Sequence, residues 1–469
     1  MLARVPAPCS NALDSPLMAE LRSEIRPLLP SIALCLAVIG AGSMLYYHQG
    51  LFIPRVAAVR AAAGSNDSYS FGDDFYQIWL TSRQWLRQGR DPYSPQTTRK
   101  LQTDFYGHPL QPGRRDEPAD LRAFPYPAFV DLLFWPAAEF SFATVRVAVV
   151  GVLTALTLAS VLLWLEALEW HTRWRWVAVI VLLTLCSYPA LEGLYAGQLG
   201  LLVAFLLAAA VVALQRDRLW LAGILMELTT IKPQVTLLVI FYFLAWSLHD
   251  WRERGRFCRG FFSTLILLVG TSLAVLPHWI QSWTRTVLAY RHYTPSPLLA
   301  QVLASLLGSR LAGPLTLVLT ACVLIVAVVL AWRSRAAAAR SFTFWFTTSL
   351  LLSITTIAIL SGEAVYDHLV LIPGILLMVR HRRDLLDAGR ISHSLLAIGA
   401  LVLFWPWVAA FALVLTRPWL APANFYSTAV FSLPIRTAAS LPFAVLALLA
   451  WTRRAAISQH GDADPERDC

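Results

Sequence analysis

The chain has 469 residues, of which 57% are hydrophobic and 14% charged, with 18 tryptophans and a mean hydropathy of +0.58. That much apolar surface cannot be hidden in a water-soluble fold, so composition specifies a polytopic membrane protein, read as all-α from the apolar runs that follow. The net charge of +10 is carried mainly by arginines in short segments between apolar runs, where a bilayer accounts for it and nucleic acid is excluded as a partner.

Only two of the 38 basic residues are lysines, Lys100 and Lys232, which makes each of them more informative. The six cysteines show neither metal-ligand spacing nor the pattern of a disulfide framework.

Residues 1–27 are polar and carry Arg22 and Arg26 ahead of the first apolar run at 28–47, which reads as a cytosolic N-terminal tail and an uncleaved first span. Residues 48–140 then form a large first extracytoplasmic loop. Within it, FGDDFYQIWLTSRQWLRQGRDPY reads as a helix with a polar stripe of Asp74, Gln77, Thr81, Gln84 and Gln88. Its apolar stripe is Phe75, Ile78, Trp79, Trp85 and Leu86. Such a helix is expected to lie on a membrane surface. A Pro-rich, charged loop from Asp91 to Arg122 and a second interfacial element from Pro125 to Phe140 complete this region.

Further apolar runs at 142–166, 174–188, 199–214, 219–231, 233–248, 260–277, 313–332, 342–361, 366–379, 393–415 and 434–452 bring the total to about twelve spans, several shorter than the usual ~20 residues. Leu219 to Trp246 is either one long helix or two short ones broken at Lys232-Pro233. Charge decides for two. Only then do Arg173/Arg175, Arg216/Arg218, Arg252 to Arg259, Arg333 to Arg340, Arg380 to Arg383 and the tail Arg453/Arg454 fall on one side, as the positive-inside rule requires. Residues 28–452 are therefore read as a single membrane-embedded domain, followed by a cytosolic C-terminal tail at 453–469. Asp73/Asp74, Tyr188 to Gln198, Lys232, the amphipathic segment Pro277 to Pro297 and Glu363 to His368 all face the extracytoplasmic side.

Asp73 and Asp74 include a helix cap and a first-turn carboxylate that favours the helix dipole. An acid at a membrane surface, beside aromatic side chains, also suits general-base work on a hydroxyl. Tyr126-Pro127 reads as a helix start with interfacial aromatics, and Tyr195 to Gln198 as a tight turn with an amide at the membrane edge. Lys232, between two short helices, either snorkels or binds an anion. Tyr366, Asp367 and His368 open another short span, and Lys232, His368 and arginines of the external loops together form a set able to bind phosphate.

Taken in order, DDFYQIW with GRDPYSP, FPYPAFVDLLFWP, YAGQLGLLVAFLLAAA, LAGILMELTTIKPQVTLLVI and VYDHLVLIPG resemble glycosyltransferase family 87, polytopic GT-C-type enzymes that use polyprenyl-phosphate sugars, often mannose. Two positions depart from its pattern: Ala128 follows Tyr126-Pro127, and Leu199-Gly200 follows Gln198.

The resemblance implies an inverting transfer of a sugar from a polyprenyl phosphate to a hydroxyl of a glycolipid or glycan acceptor, on the outer face of a bacterial plasma membrane. It gives the base to Asp74, with Asp73 as the alternative, and the donor phosphate to Lys232, His368 and Arg83. Tyr126, Tyr195, Gln198 and Asp367 become substrate contacts. No cofactor and no metal is expected, and no nucleotide-binding motif is found in the chain. A transporter or flippase of a lipid-linked saccharide is the rival class, though repeated halves with broken midplane helices are not evident.

Overall fold

The computed structural model describes residues 16–62, 71–111, 120–290, 293, 296–387 and 389–461, and among them every regular element is helical. Parts of both expected tails (1–15 and 462–469) and the middle of the Asp91 to Arg122 loop lie outside the described residues. Helix α1 (Pro16–Tyr46) does not end with its apolar run. A π-turn over Tyr47–Phe52 carries it into α2 (Ile53–Ala62) and turns Tyr47, His48 and Leu51 inward.

An external layer follows. Gly72, in the left-handed region at φ 83°, starts α3 (Asp73–Gln88), and Gly89 at φ 65° ends it. The two stripes of α3 are as the sequence implies, but the helix does not lie on the surface. Phe75, Ile78 and Trp85 enter an apolar cluster with Phe124, Tyr126, Phe129 and Trp279, while Gln77, Thr81 and Gln84 are buried too. An unexpected helix, α4 (Pro95–Tyr106), sits in the Pro-rich loop. Ser94 Oγ accepts from the Thr97 N–H at 3.2 Å, Pro95 fills the first turn and Gly107 closes it.

Beyond the short α5 (Phe129–Leu133) the bundle begins with α6 (Phe142–Ala167), α7 (Trp174–Leu185), α8 (Tyr188–Ala196) and α9 (Gly200–Gln215). It continues through α10 (Leu219–Leu228), α11 (Pro233–His249), α12 (Trp251–Val275), α13 (Trp279–Tyr290), α14 (Leu298–Leu307), α15 (Ser309–Arg333) and α16 (Phe342–Ala358). A 3-10 segment, Val365–Leu371, leads into α17 (Ile372–Arg380), α18 (Arg382–Asp387), α19 (Arg390–Thr416), α20 (Pro422–Ser427), α21 (Leu433–Ala438) and α22 (Leu441–Gly461).

Against about twelve expected spans, 5 helices among the described residues have the length and composition to cross a membrane, or up to 7 if each of two bent pairs is one span. The other apolar runs fold as shorter helices. Their side chains explain this: α9 is apolar on every face and buried among its neighbours, whereas α12 and α15 turn Ile266 (70% exposed) and Leu317 (74%) outward, as lipid-facing helices do. The break at Lys232-Pro233 is present. Lys232 leaves the helical region (φ −128°, ψ 74°) because proline disfavours α geometry in the residue before it.

Three of the arginine-bearing connections meet at one end of the bundle. Arg216 pairs with Glu166, Arg340 reaches the Gln215 carbonyl (3.0 Å), and Arg254 reaches the Arg335 carbonyl (3.2 Å). Helix α9, 16 residues long, carries the chain about 24 Å from that end to the other. There the external layer covers the α8–α9 turn, the Lys232 break and the 3-10 segment.

One extended segment ties the layer together, and it cannot satisfy its own backbone. The Asp120 carbonyl accepts from Tyr106 Oη (2.9 Å), Leu121 from Gln102 Nε2 (2.9 Å), Pro125 from Trp283 Nε1 (2.9 Å) and Tyr126 from Tyr93 Oη (2.7 Å). Tyr290 Oη serves Ala123 twice, donating to its carbonyl (2.7 Å) and accepting from its N–H (2.9 Å). Tyr290→Phe removes both bonds and should lower stability by about 1–3 kcal/mol, read as a fall in the unfolding temperature of the detergent-solubilised protein.

Candidate active site

The site is built around Asp73 and Asp74 in the first turn of α3. Between them and the rest of the external layer stands Arg122. Its guanidinium donates to Asp73 Oδ2 at 2.9 Å, lies 3.5 Å from Asp74 Oδ1 and 2.6 Å from Asp120 Oδ2, and its plane caps the Phe105 ring at 4.3 Å. Arg122 adopts φ 45°, a left-handed conformation unusual for a side chain of that size. The hydrogen bonds on both sides of it hold that strain.

From Asp74 a hydrogen-bonded chain runs into the bundle. Gln198 Nε2 donates to Asp74 Oδ2, and Gln198 Oε1 accepts from Lys232 Nζ (3.1 Å). Lys232 Nζ in turn contacts both oxygens of Asp367, at 2.8 and 2.9 Å, and stands 4.8 Å above the Tyr366 ring. Two glycines permit the approach. Gly197, at φ 70°, turns the chain after α8 directly against Phe75, and a Cβ on Gly200 would collide with Asp367 Oδ1. The bare backbone of Gly200 thus leaves room for Asp367 beside Lys232.

Asp74, Gln198, Lys232 and Asp367 are therefore brought together. Tyr126 joins them: its phenol is pushed well above the usual range by burial and by the charges of Asp74, Asp367 and Asp73. Tyr195 is next to the pair through its backbone, its carbonyl accepting from the Gly72 N–H at 2.8 Å.

Arg83 is not brought in. It lies nine residues beyond Asp74 on α3, hence about 180° around the helix, where it donates to the Phe140 carbonyl (3.4 Å) and stacks on Trp79. His368 makes no contact with Lys232 among the described residues. It lines a mostly apolar cavity of about 430 Å³, together with Trp176, Ile180, Tyr188, Leu376 and Trp407, and its buried Nδ1 has no hydrogen-bond partner among the described residues.

Two residues that sequence reasoning did not single out matter here. Arg122 carried a faint signal, as the arginine just ahead of the FPYP motif. Asp131, inside FPYPAFVDLLFWP, is fully buried and accepts from Thr81 Oγ1 (2.9 Å) and Ser82 Oγ (3.0 Å), which locks α5 to α3.

The electrostatics follow from burial. Asp74 is pushed up to about 7, first by desolvation and then by Asp73, with Arg122 and the Gln198 bond opposing; about a fifth of its side chain (22%) stays open. Asp73 is raised as well, again chiefly by burial, with Arg122 opposing most strongly. Two such neighbours titrate as a pair. A carboxyl that is hydrogen-bonded, partly open and ionised near neutral pH can take a proton from an attacking hydroxyl.

The sequence model of glycosyltransferase family 87 matches residues 124–361, a little over half of the chain. No curated protein and no solved structure matches it.

Two outcomes follow from this geometry. Gln198→Met withdraws a bond that favours the ionised form of Asp74, so any activity limb governed by Asp74 should move to higher pH, read from kcat/KM profiles. Because Asp74 titrates higher folded than unfolded (about 7 against ~3.9), the folded state holds the proton more tightly and stability declines as pH rises from about 4 to 7. Unfolding temperatures across that window should show the decline, and Asp74→Asn should flatten it.

Proposed function

The chain belongs to glycosyltransferase family 87, a membrane glycosyltransferase, and from that premise we propose that it moves a sugar, mannose foremost, from a polyprenyl phosphate to a hydroxyl of a glycolipid or glycan acceptor. The observation that carries this reading is the position of one partly open carboxylate. Asp74 lies at the head of a hydrogen-bonded chain that ends in the 3-10 segment, and the next residue of that segment, His368, opens onto an apolar cavity.

In this reading the isoprenoid chain of the donor occupies the cavity and its phosphate lies toward His368 and Lys232. Ionised Asp74 removes the acceptor proton as the hydroxyl oxygen attacks the anomeric carbon. The bond from that carbon to the phosphate oxygen breaks, its electron pair leaves with polyprenyl phosphate, and single displacement inverts the centre. Asp74 ends protonated. Phosphate is a good leaving group, so no acid is required. Lys232 is already compensated by Asp367, so its contribution is to orient Gln198 and Asp367 and to offer remaining donor capacity to the phosphate. Arg122 replaces Arg83 as the arginine of the site: it holds Asp73 and leaves Asp74 the more exposed of the pair.

The end of the bundle opposite the arginine cluster faces out of the cytoplasm under the positive-inside rule, in a bacterial plasma membrane, with both termini cytosolic. Helix α9, at about 24 Å, is shorter than the ~30 Å hydrocarbon core. The site is then recessed, within lateral reach of lipid-borne substrates.

The test is transfer from radiolabelled polyprenyl-phosphate sugars in membranes containing the wild-type protein or Asp74→Asn at matched expression. Loss of a general base should cut kcat by about 10²–10⁴-fold with donor binding retained, and the wild-type rate should rise with pH through about 7. Equal transfer by both proteins removes Asp74 from the role. Transbilayer movement of lipid-linked sugar without transfer assigns the chain to the flippase class.

A further inference from the structure

A second polar group stands beside the aspartates and has no part in the mechanism above. His48, on the π-turn, is completely buried, yet its Nε2 lies 2.9 Å from Glu192 Oε2, and its Nδ1 lies 3.0 Å from Gln49 Nε2. The Gln49 amide donates to Nδ1, so the ring carries its proton on Nε2 and donates to the carboxylate. Glu192 is thereby held by a rigid, buried donor. Its Oε1 has no hydrogen-bond partner among the described residues, and the side chain is 26% exposed.

The pair is close to Asp73 and Asp74. Glu192 lies on α8, which ends at the turn holding Gln198, and its charge is one of those that raise Asp73. Gly72, next to Asp73, donates its N–H to the carbonyl of Tyr195, one turn beyond Glu192 on α8. The Tyr195 ring stands 6.0 Å from the His48 ring and 5.6 Å from Phe71, and Tyr188 stands 6.0 Å from His48 on another side. The π-turn itself disturbs an otherwise continuous helix, a feature that recurs at functional sites.

Tyr188, Glu192 and Tyr195 lie at i, i+4 and i+7 on α8 and so share one face with the His48 ring. A fixed carboxylate oxygen on a face that also carries aromatic rings matches the chemistry of a sugar, whose hydroxyls donate and whose C–H face packs on rings. We propose that Glu192, oriented by His48 and sharing its helix face with Tyr195, is a carbohydrate subsite that binds a hydroxyl of the acceptor saccharide and sets which acceptor hydroxyl meets Asp74. This rests on the transferase reading above. Glu192 is a binding residue in it, and His48 a positioning residue.

The test uses the full-length protein in detergent, titrated with octyl α-mannopyranoside and octyl β-glucopyranoside. A sugar-free octyl oligoethylene glycol ether serves as the control, and ligand-induced thermal stabilisation is the readout. The glycosides should stabilise the wild type beyond the ether. Glu192→Gln, which loses a charge-assisted hydrogen bond, should weaken that binding by at least about 10-fold while keeping the ligand-free unfolding temperature. His48→Gln should weaken it less.

Equal glycoside affinity in wild type and Glu192→Gln overturns the subsite, and so does glycoside binding no tighter than that of the ether. If Glu192→Gln does not fold, Glu192→Asp decides: withdrawing the carboxylate should still cost affinity, and unchanged affinity overturns the proposal. A transfer assay separates the two readings. Glycoside binding through Glu192 without transfer from any polyprenyl-phosphate sugar leaves the subsite standing and removes the donor assignment. Transfer with the same acceptor KM in wild type and Glu192→Gln keeps the donor assignment and removes the subsite.

Discussion

Two carboxylates on neighbouring residues cannot be buried together without a cation, and much of the external layer is arranged around supplying one. Arg122 pairs with Asp73, faces Asp74 and Asp120, and does so from a left-handed backbone conformation. Strain of that kind costs on the order of 1–3 kcal/mol and persists only where its surroundings over-determine it. Here Tyr106, Gln102, Tyr290, Trp283 and Tyr93 each bind a backbone group within four residues of Arg122, from two helices and one loop. The polar layer outside the bundle is thus a clamp on a single arginine.

The pairing is unequal, and that inequality gives the site its chemistry. Arg122 holds Asp73 tightly, whereas Asp74 keeps a longer contact with it and a hydrogen bond to Gln198. A compensated acid therefore stands next to one raised to about 7. On the bundle side, Lys232 and Asp367 neutralise each other, so an ammonium can sit among short helices without an unpaired charge. Gln198 joins the two halves as the one neutral member, with its amide nitrogen toward Asp74 and its oxygen toward Lys232.

The bundle supplies distance and depth. Arg216, Arg254 and Arg340 gather at one end beside Glu166, whereas the Arg122-bound aspartates and the Lys232–Asp367 pair lie at the other, with short helices between them. His48 and Glu192 extend the polar end along α8, and the cavity beside His368 extends it into apolar surroundings. A buried His–Glu pair and an apolar cavity thus meet within a few residues of α8 and the 3-10 segment.

Composition and charge by themselves determined the class of the molecule and where its apolar helical runs lie, but not how many of them are long enough to span. These depend on hydrophobic period and on signals local in sequence, as does the break at Lys232-Pro233, where proline acts on its own neighbour. The pairing of Asp73/Asp74 with Gln198, Lys232 and Asp367 was approachable as a set of motifs facing one compartment. Which groups touch was decided by tertiary structure. Arg122 becomes the counter-ion because the extended segment brings it across 48 residues to Asp74. Arg83, on the same helix as Asp74, is lost to the site because nine residues of α-helix turn it to the opposite face. His368 parts from Asp367 because adjacent residues of a helical turn point in different directions. A sequence lists such partners; only the path of the backbone through space brings an arginine to one carboxylate and keeps a histidine from another.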